Sequence, residues 1–109
     1  MNIGLDTGWN GKTSANKVIA DRLQAFLRNR EPLMTYTVHG EPKLPVALHP
    51  TALIATTAAA SLATDAPLSR QWVLRFWDTP LRKGDRRYYD NCLYFFCLLM
   101  LAGRYVQWV

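Results

Sequence analysis

With 109 residues the chain holds one domain at most, and a chain of that length buries roughly two-thirds of its unfolded surface, enough for one modest core. Half of the residues are apolar, 19% are charged and 12% are aromatic, a globular balance that excludes a disordered chain. Thirteen Lys and Arg against eight Asp and Glu leave +5, which excludes an acidic tail or polyanion mimic and permits an anionic partner without demanding one.

Two cysteines rule out a disulfide scaffold. Cys92 and Cys97 are five apart, a spacing that turns about 140° on one helix and keeps them from bonding each other. Both are expected as buried thiols in a reducing compartment. Residues 2–21 contain no apolar signal-peptide core. The longest apolar run, Cys92–Ala102, falls short of the about 20 residues a membrane span needs. The expectation is a cytoplasmic chain with no membrane partner.

Met1–Trp9 carries Ile3, Leu5 and Trp9 without start signals and looks like the end of a helix. Gly8 and Gly11 mark a turn. Thr13 or Ser14 then caps a helix running to about Asn29, with Val18, Ile19, Leu23, Phe26 and Leu27 as its apolar stripe and Lys17, Arg22, Gln24 and Arg28 on other faces. Pro32 stops it. Thr35–Val38 is β-prone, and His39–Pro42 is a turn. Pro42, Pro45 and Pro50 hold Glu41–Pro50 extended, as a shaped surface. Pro50 opens the next helix, in which alanines let a neighbour approach closely. Pro67 opens another, to about Asp78, with the stripe Leu68, Trp72, Val73, Phe76 and Trp77. Leu81–Arg87 is a basic loop. Tyr88–Ala102 is apolar nearly all round, which marks a helix buried on several sides, and Gly103 is its C-cap. The tail Arg104–Val109 is aromatic and extended. The fold class is all-α, and the chain is short for the hydrophobicity of its last helix.

Little catalytic chemistry is legible. There is no glycine-rich phosphate loop, no nucleophile elbow and no metal-ligand spacing, so neither metal nor cofactor is expected. Asp6 and Asp90 are the carboxylates embedded among aromatics. They are the candidates for the two carboxylates that a glycosidase needs on opposite sides of one sugar. The alternative is that Asp6 caps a helix or pairs with an arginine and that Asp90 is a helix N-terminal charge, the reading that spacing favours for Asp90. Arg82, Lys83, Arg86 and Arg87 form a basic group diluted by Asp85, expected to be solvated. Without an accompanying motif it disfavours nucleic acid as a partner. His49, between Leu48 and Pro50, is either a surface loop residue or a rigidly held polar group suited to reading one hydroxyl. Of the aromatics, Trp9, Tyr36, Trp72, Trp77, Tyr88, Tyr89 and Trp108, most are expected in the core, above all Trp72 and Trp77. One or two at loop edges could stack on a sugar face.

Three segments together resemble glycoside hydrolase family 8. Asn2–Trp9, followed by Asn16–Phe26, is similar to the family's "N-I-x-x-D-x-x-W" helix and the following helix ending "R-L-Q-x-F". Leu48-His49-Pro50 leads into Thr51–Ala55. Arg87-Tyr88-Tyr89-Asp90-Asn91-Cys92-Leu93-Tyr94 through Tyr105 is similar to the family's closing "R-Y-Y-D-x-x-L-Y-x-x-x-L-L-x-x-G-x-Y". The resemblance covers nearly the whole chain. It implies the C-terminal helical hairpins of an (α/α)6 barrel, incomplete, as a single partial domain over residues 1–109.

Within that family, the Leu48-His49-Pro50 triplet resembles the loop kink of reducing-end xylose-releasing exo-oligoxylanases. The resemblance implies that His49 reads the anomeric hydroxyl of a terminal xylose, that Leu48 and Pro50 shape the wall, and that Tyr89, with Tyr88, lies near the cleft. Asp6 would be a supporting residue. The family inverts β-1,4 links with a Glu acid and an Asp base, both upstream of the matched region, so no residue here inherits a catalytic role. The implied partner is a xylo-oligosaccharide within a complete barrel, with a complementing N-terminal fragment or self-association covering the apolar surface. The alternatives are a non-enzymatic helical interaction module, or the tail of another family member such as an endoglucanase, endoxylanase or chitosanase.

Overall fold

The computed structural model describes residues 1–31 and 33–106. The helix stop at Pro32 and the last three residues of the aromatic tail, Trp108 among them, lie outside the described residues. Among the described residues five α-helices follow in chain order: α1 (Asn2–Asn10), α2 (Ser14–Leu27), α3 (Pro50–Ala59), α4 (Pro67–Trp77) and α5 (Arg87–Leu101). A 3₁₀ turn, Ala60–Ala63, prolongs α3.

The helix ends follow local chemistry. Thr13, in extended backbone, caps α2 by accepting a hydrogen bond from the Asn16 N–H at 3.2 Å. Pro50 and Pro67 occupy first-turn positions of α3 and α4, where a missing N–H costs nothing. Past the end of α5, Gly103 takes φ 68°. Its N–H then reaches the Met100 carbonyl and that of Arg104 the Leu99 carbonyl, a Schellman closure that satisfies two orphan acceptors. The β-prone Thr35–Val38 does not become a strand. One antiparallel bridge, Tyr36 to Pro42, closes over the turn at Gly40, and the prolines beyond it remove the donors a longer ladder needs.

α3 is the spine. Ala55, Ala58 and Ala59 are fully enclosed, and their small side chains let α5 pack along one side and α4 along another. Leu27, Leu33, Trp72, Phe76, Cys97 and Met100 complete the main core. α1 crosses the 3₁₀ turn so closely that a Cβ on Gly4 would sit 2.8 Å from the Ala59 carbonyl oxygen. Gly4→Ala should therefore destabilise by about 1–3 kcal/mol, through a backbone clash with no flexible side chain to yield. Urea unfolding of the two proteins measures it, and an unchanged midpoint would contradict the contact.

Four expectations are corrected. On α2 the buried face is Ala20, Gln24 and Leu27, whereas Val18, Ile19 and Leu23 of the apolar stripe are exposed. Gln24 is inside because its amide donates to the Thr57 carbonyl at 3.0 Å and to Ser61 Oγ at 2.9 Å, and a satisfied amide can be buried. On α4 the two tryptophans part company. Trp72 is 2% exposed and donates to the Gln24 carbonyl, while Trp77 is 76% exposed. On α5 Tyr88, Tyr89, Phe95, Phe96 and Leu98 face outward, so this helix is covered on fewer sides than its composition demands. Of the cysteines, Cys97 is buried and Cys92 only half-buried. Burial pushes the Cys97 thiol up to about 11.

Two surface carboxylates tie elements together. Asp6 pairs with no arginine. It accepts from the side-chain amides of Asn10 (2.9 Å) and Asn16 (2.5 Å), holding α1 to α2. Asp21 accepts from Lys17 (2.7 Å) and from Thr64 Oγ1, holding α2 to the turn before α4. These donors favour the charged forms, so both carboxyls titrate below the usual aspartate value. The sign follows: their contribution is fully present above the ordinary value of about 3.9 and is lost as pH falls through the lower folded values. Unfolding midpoints should therefore decline below about pH 4, and Asp6→Asn with Asp21→Asn should flatten that decline. An equally steep decline in the double variant would rule these two groups out as its source.

Candidate functional site

The N-terminal ends of α3 and α5 lie together, and one carboxylate joins them. Asp90 stands in the first turn of α5 and is fully buried. Its Oδ1 lies 2.5 Å from His49 Nδ1. Its Oδ2 accepts from Arg82 Nη1 at 3.1 Å and from the Ala52 N–H at 3.3 Å. The Ala52 N–H is one of the donors that a helix N-terminus leaves without an internal partner. His49 is the N-cap residue of α3, yet its side chain makes no capping bond. Asp90 does that work from the neighbouring helix, and a negative charge there is also favoured by the α3 dipole. The expectation that Asp90 is merely a helix N-terminal charge is thus corrected. It is the buried hub of the site.

Arg82 is likewise more than a solvated member of a basic loop. Asn91 clasps its backbone from both sides: Asn91 Oδ1 accepts from the Arg82 N–H at 2.9 Å, and Asn91 Nδ2 donates to the Arg82 carbonyl at 3.0 Å. The guanidinium is thereby aimed at Asp90 and also donates to the Leu48 carbonyl. The Leu48–Pro50 corner is held on both sides. Arg82 grips the residue before His49, and Pro50 fixes the backbone after it.

His49 is about one-third exposed at its side chain. Its ring faces that of Tyr89, with centroids 4.5 Å apart at 51°. Both line a cavity of about 490 Å³ whose wall is otherwise mostly apolar, including Leu53, Leu93 and Tyr36, with Thr56 among its few polar groups. That volume and that mixture suit a small-molecule site. Tyr88 is directed elsewhere. It lines a second hollow of about 500 Å³ with Asn91, Cys92, Phe95 and Phe96. Asp6, on α1, has its bonds at the α1–α2 junction. The structure therefore brings His49 and Tyr89 to one cavity, whereas Leu48 and Pro50, expected to shape its wall, adjoin His49 in the chain without lining it, and Tyr88 lies on another face of α5.

Sequence reasoning did not find Arg82 and Asn91 as members of this corner. The available signal was a single carboxylate in a helix apolar nearly all round. Such a group must find donors, and Arg82 lies one short loop upstream.

No protein-family model matches the chain. It is 49% identical over 106 residues to the reducing-end xylose-releasing exo-oligoxylanase Rex8A of Paenibacillus barcinonensis, a match covering 95% of this chain and 28% of that enzyme. It is 46% identical over 110 residues to a reducing end xylose-releasing exo-oligoxylanase of Halalkalibacterium halodurans, covering 98% of this chain and 28% of that enzyme. The crystal structure of a reducing-end-xylose releasing exo-oligoxylanase matches with a TM-score of 0.93 at 45% identity, over 99% of this chain and 30% of that one. A mutant of such an enzyme, complexed with xylobiose, matches equally well. The chain spans less than a third of the length of these relatives. The all-helical arrangement corresponds to the C-terminal part of these helical-barrel enzymes. The chain is accordingly a homologue of that C-terminal part of the reducing-end xylose-releasing exo-oligoxylanases.

Proposed function

We propose that this chain forms the reducing-end wall of a glycoside hydrolase family 8 barrel that releases xylose from xylo-oligosaccharides. The observation that carries the reading is the single corner at which His49 and Tyr89 share a cavity, with Arg82, through the Leu48 carbonyl, and Pro50 fixing the backbone around His49. The similarity to enzymes that release xylose from the reducing end supports the same substrate class. A xylose ring has apolar C–H faces and polar edges. An aromatic face beside an imidazole offers a partner for each.

On this reading the acid and base belong to the part of the relatives that this chain does not span. Its own contribution is binding and orientation. The exposed apolar surfaces then have a purpose. The groove between α4 and α5, about 390 Å³ and lined by Phe76, Trp77, Tyr94 and Leu98, and the outer stripe of α2 would receive the rest of a barrel. A complementing N-terminal segment is the partner this implies, with self-association as what the same surfaces do in its absence. A reducing compartment, the cytoplasm, fits the two free thiols.

The purified chain should release no xylose from xylotriose, since absence of both acid and base removes contributions of about 10²–10⁴-fold each. Mixed or co-expressed with the upstream part of the Paenibacillus barcinonensis relative, it should restore release, and His49→Ala in that assembly should lower kcat/KM. Turnover by the chain alone would overturn the reading, as would an assembly that forms, binds xylotriose and is indifferent to His49.

A further inference from the structure

The hydrogen bonds at the Asp90 corner specify which way the His49 imidazole is protonated. An ionised carboxylate only accepts, and Arg82 and the Ala52 N–H occupy Oδ2 as donors. The nitrogen 2.5 Å from Oδ1 must then also be a donor, so Nδ1 carries a proton. In a neutral imidazole the other nitrogen is left with its lone pair. Nε2 forms no hydrogen bond among the described residues, on a ring that lines the cavity and packs against Tyr89.

We propose that Asp90 is a positioning residue that makes His49 an acceptor at Nε2, so that the corner binds a sugar hydroxyl and discriminates against a glycosidic oxygen. The inference rests on the reading of His49 as the residue that meets the reducing end. A free anomeric hydroxyl has a hydrogen to give to a lone pair. The oxygen of a glycosidic link has none, and bringing it to an acceptor leaves two lone pairs facing each other. A donor at Nε2 would bind either oxygen. The preference for a free end thus originates in a buried carboxylate that never touches the sugar, and Arg82 keeps it by holding Oδ2 and the Leu48 carbonyl together.

The test uses the ¹⁵N-labelled chain at about pH 8, more than one unit above the ordinary histidine value of about 6.5. Long-range ¹H–¹⁵N spectra should show the His49 proton on Nδ1 and an acceptor shift at Nε2. In Asp90→Asn the amide oxygen stays with Arg82 and Ala52, its NH₂ faces Nδ1, and the ring proton should move to Nε2. If that variant does not fold, the wild-type spectrum still decides: a proton on Nε2, with or without one on Nδ1, overturns the proposal. Xylose should then bind about five- to tenfold more tightly than methyl β-xyloside, whose anomeric oxygen has no hydrogen to give, the worth of one neutral hydrogen bond. Asp90→Asn should bring that ratio toward one. Equal binding of both sugars to the wild-type chain overturns the discrimination. A protonated Nδ1 with no His49 response to either sugar overturns the reading of His49 as sugar contact, and leaves the role of Asp90 in setting the ring standing.

Discussion

Asp90→Ala should cost about 3–5 kcal/mol of stability, the range for removing one partner from a buried ion pair. The magnitude comes from what remains behind. Arg82 keeps its charge in a mostly enclosed position with only the Leu48 carbonyl to receive it. The Ala52 N–H at the start of α3 loses its acceptor, and the His49 Nδ1 proton loses its own. Each uncompensated donor adds a desolvation cost. A small domain has about 5–15 kcal/mol in total, so the variant should be partly unfolded well below the wild-type midpoint. Asp90→Asn retains an oxygen for Arg82 and should cost less. Urea titrations followed by far-UV circular dichroism compare the three proteins. A loss below about 1 kcal/mol in Asp90→Ala would mean that water reaches and satisfies the stranded groups.

The second large effect separates the two tryptophans of α4. Trp72→Ala should cost about 3–5 kcal/mol, as for other buried large aromatics. It removes a side chain packed against the spine and the hydrogen bond from its indole N–H to the Gln24 carbonyl, which joins α4 to α2. Trp77→Ala should change folding stability by no more than about 0.5 kcal/mol, because a mostly exposed side chain has little burial to lose. If the α4–α5 groove receives the rest of a barrel, Trp77→Ala should instead weaken that association. Paired thermal melts of the chain, and pull-down of the upstream segment, read the two effects separately. Equal destabilisation by the two substitutions would contradict the orientation of α4.

Helix positions were legible because their punctuation is local. Thr13, Pro50, Pro67 and Gly103 each act within one turn of the backbone, and each was readable as a start or a stop. Burial was less legible. Periodicity shows that a helix has an apolar stripe but not which neighbour meets it. On α2 the stripe from Val18 to Leu23 and the face from Ala20 to Leu27 are adjacent, and the core took the one with the smaller and better-satisfied side chains. Trp72 and Trp77 are both apolar positions of one helix, yet five residues turn them about 140° apart, so a single flat neighbour covers only one.

The candidate site divides in the same way. His49 stood out from its flanking Leu48 and Pro50, and Tyr89 from the motif around it. Asp90 stood out among its aromatic neighbours, but its place in a first helix turn pointed to a helix N-terminal charge and not to a hub. Its three donors come from residues 49, 52 and 82, on two loops and another helix, and no spacing in the chain records that meeting. Helix positions, helix ends and the all-α class follow from interactions spanning five residues or fewer, and the sequence by itself determined them. Which faces are covered, and that a histidine, an arginine and a helix N-terminus converge on one buried carboxylate, depends on contacts between residues tens of positions apart, and only the tertiary structure decided them.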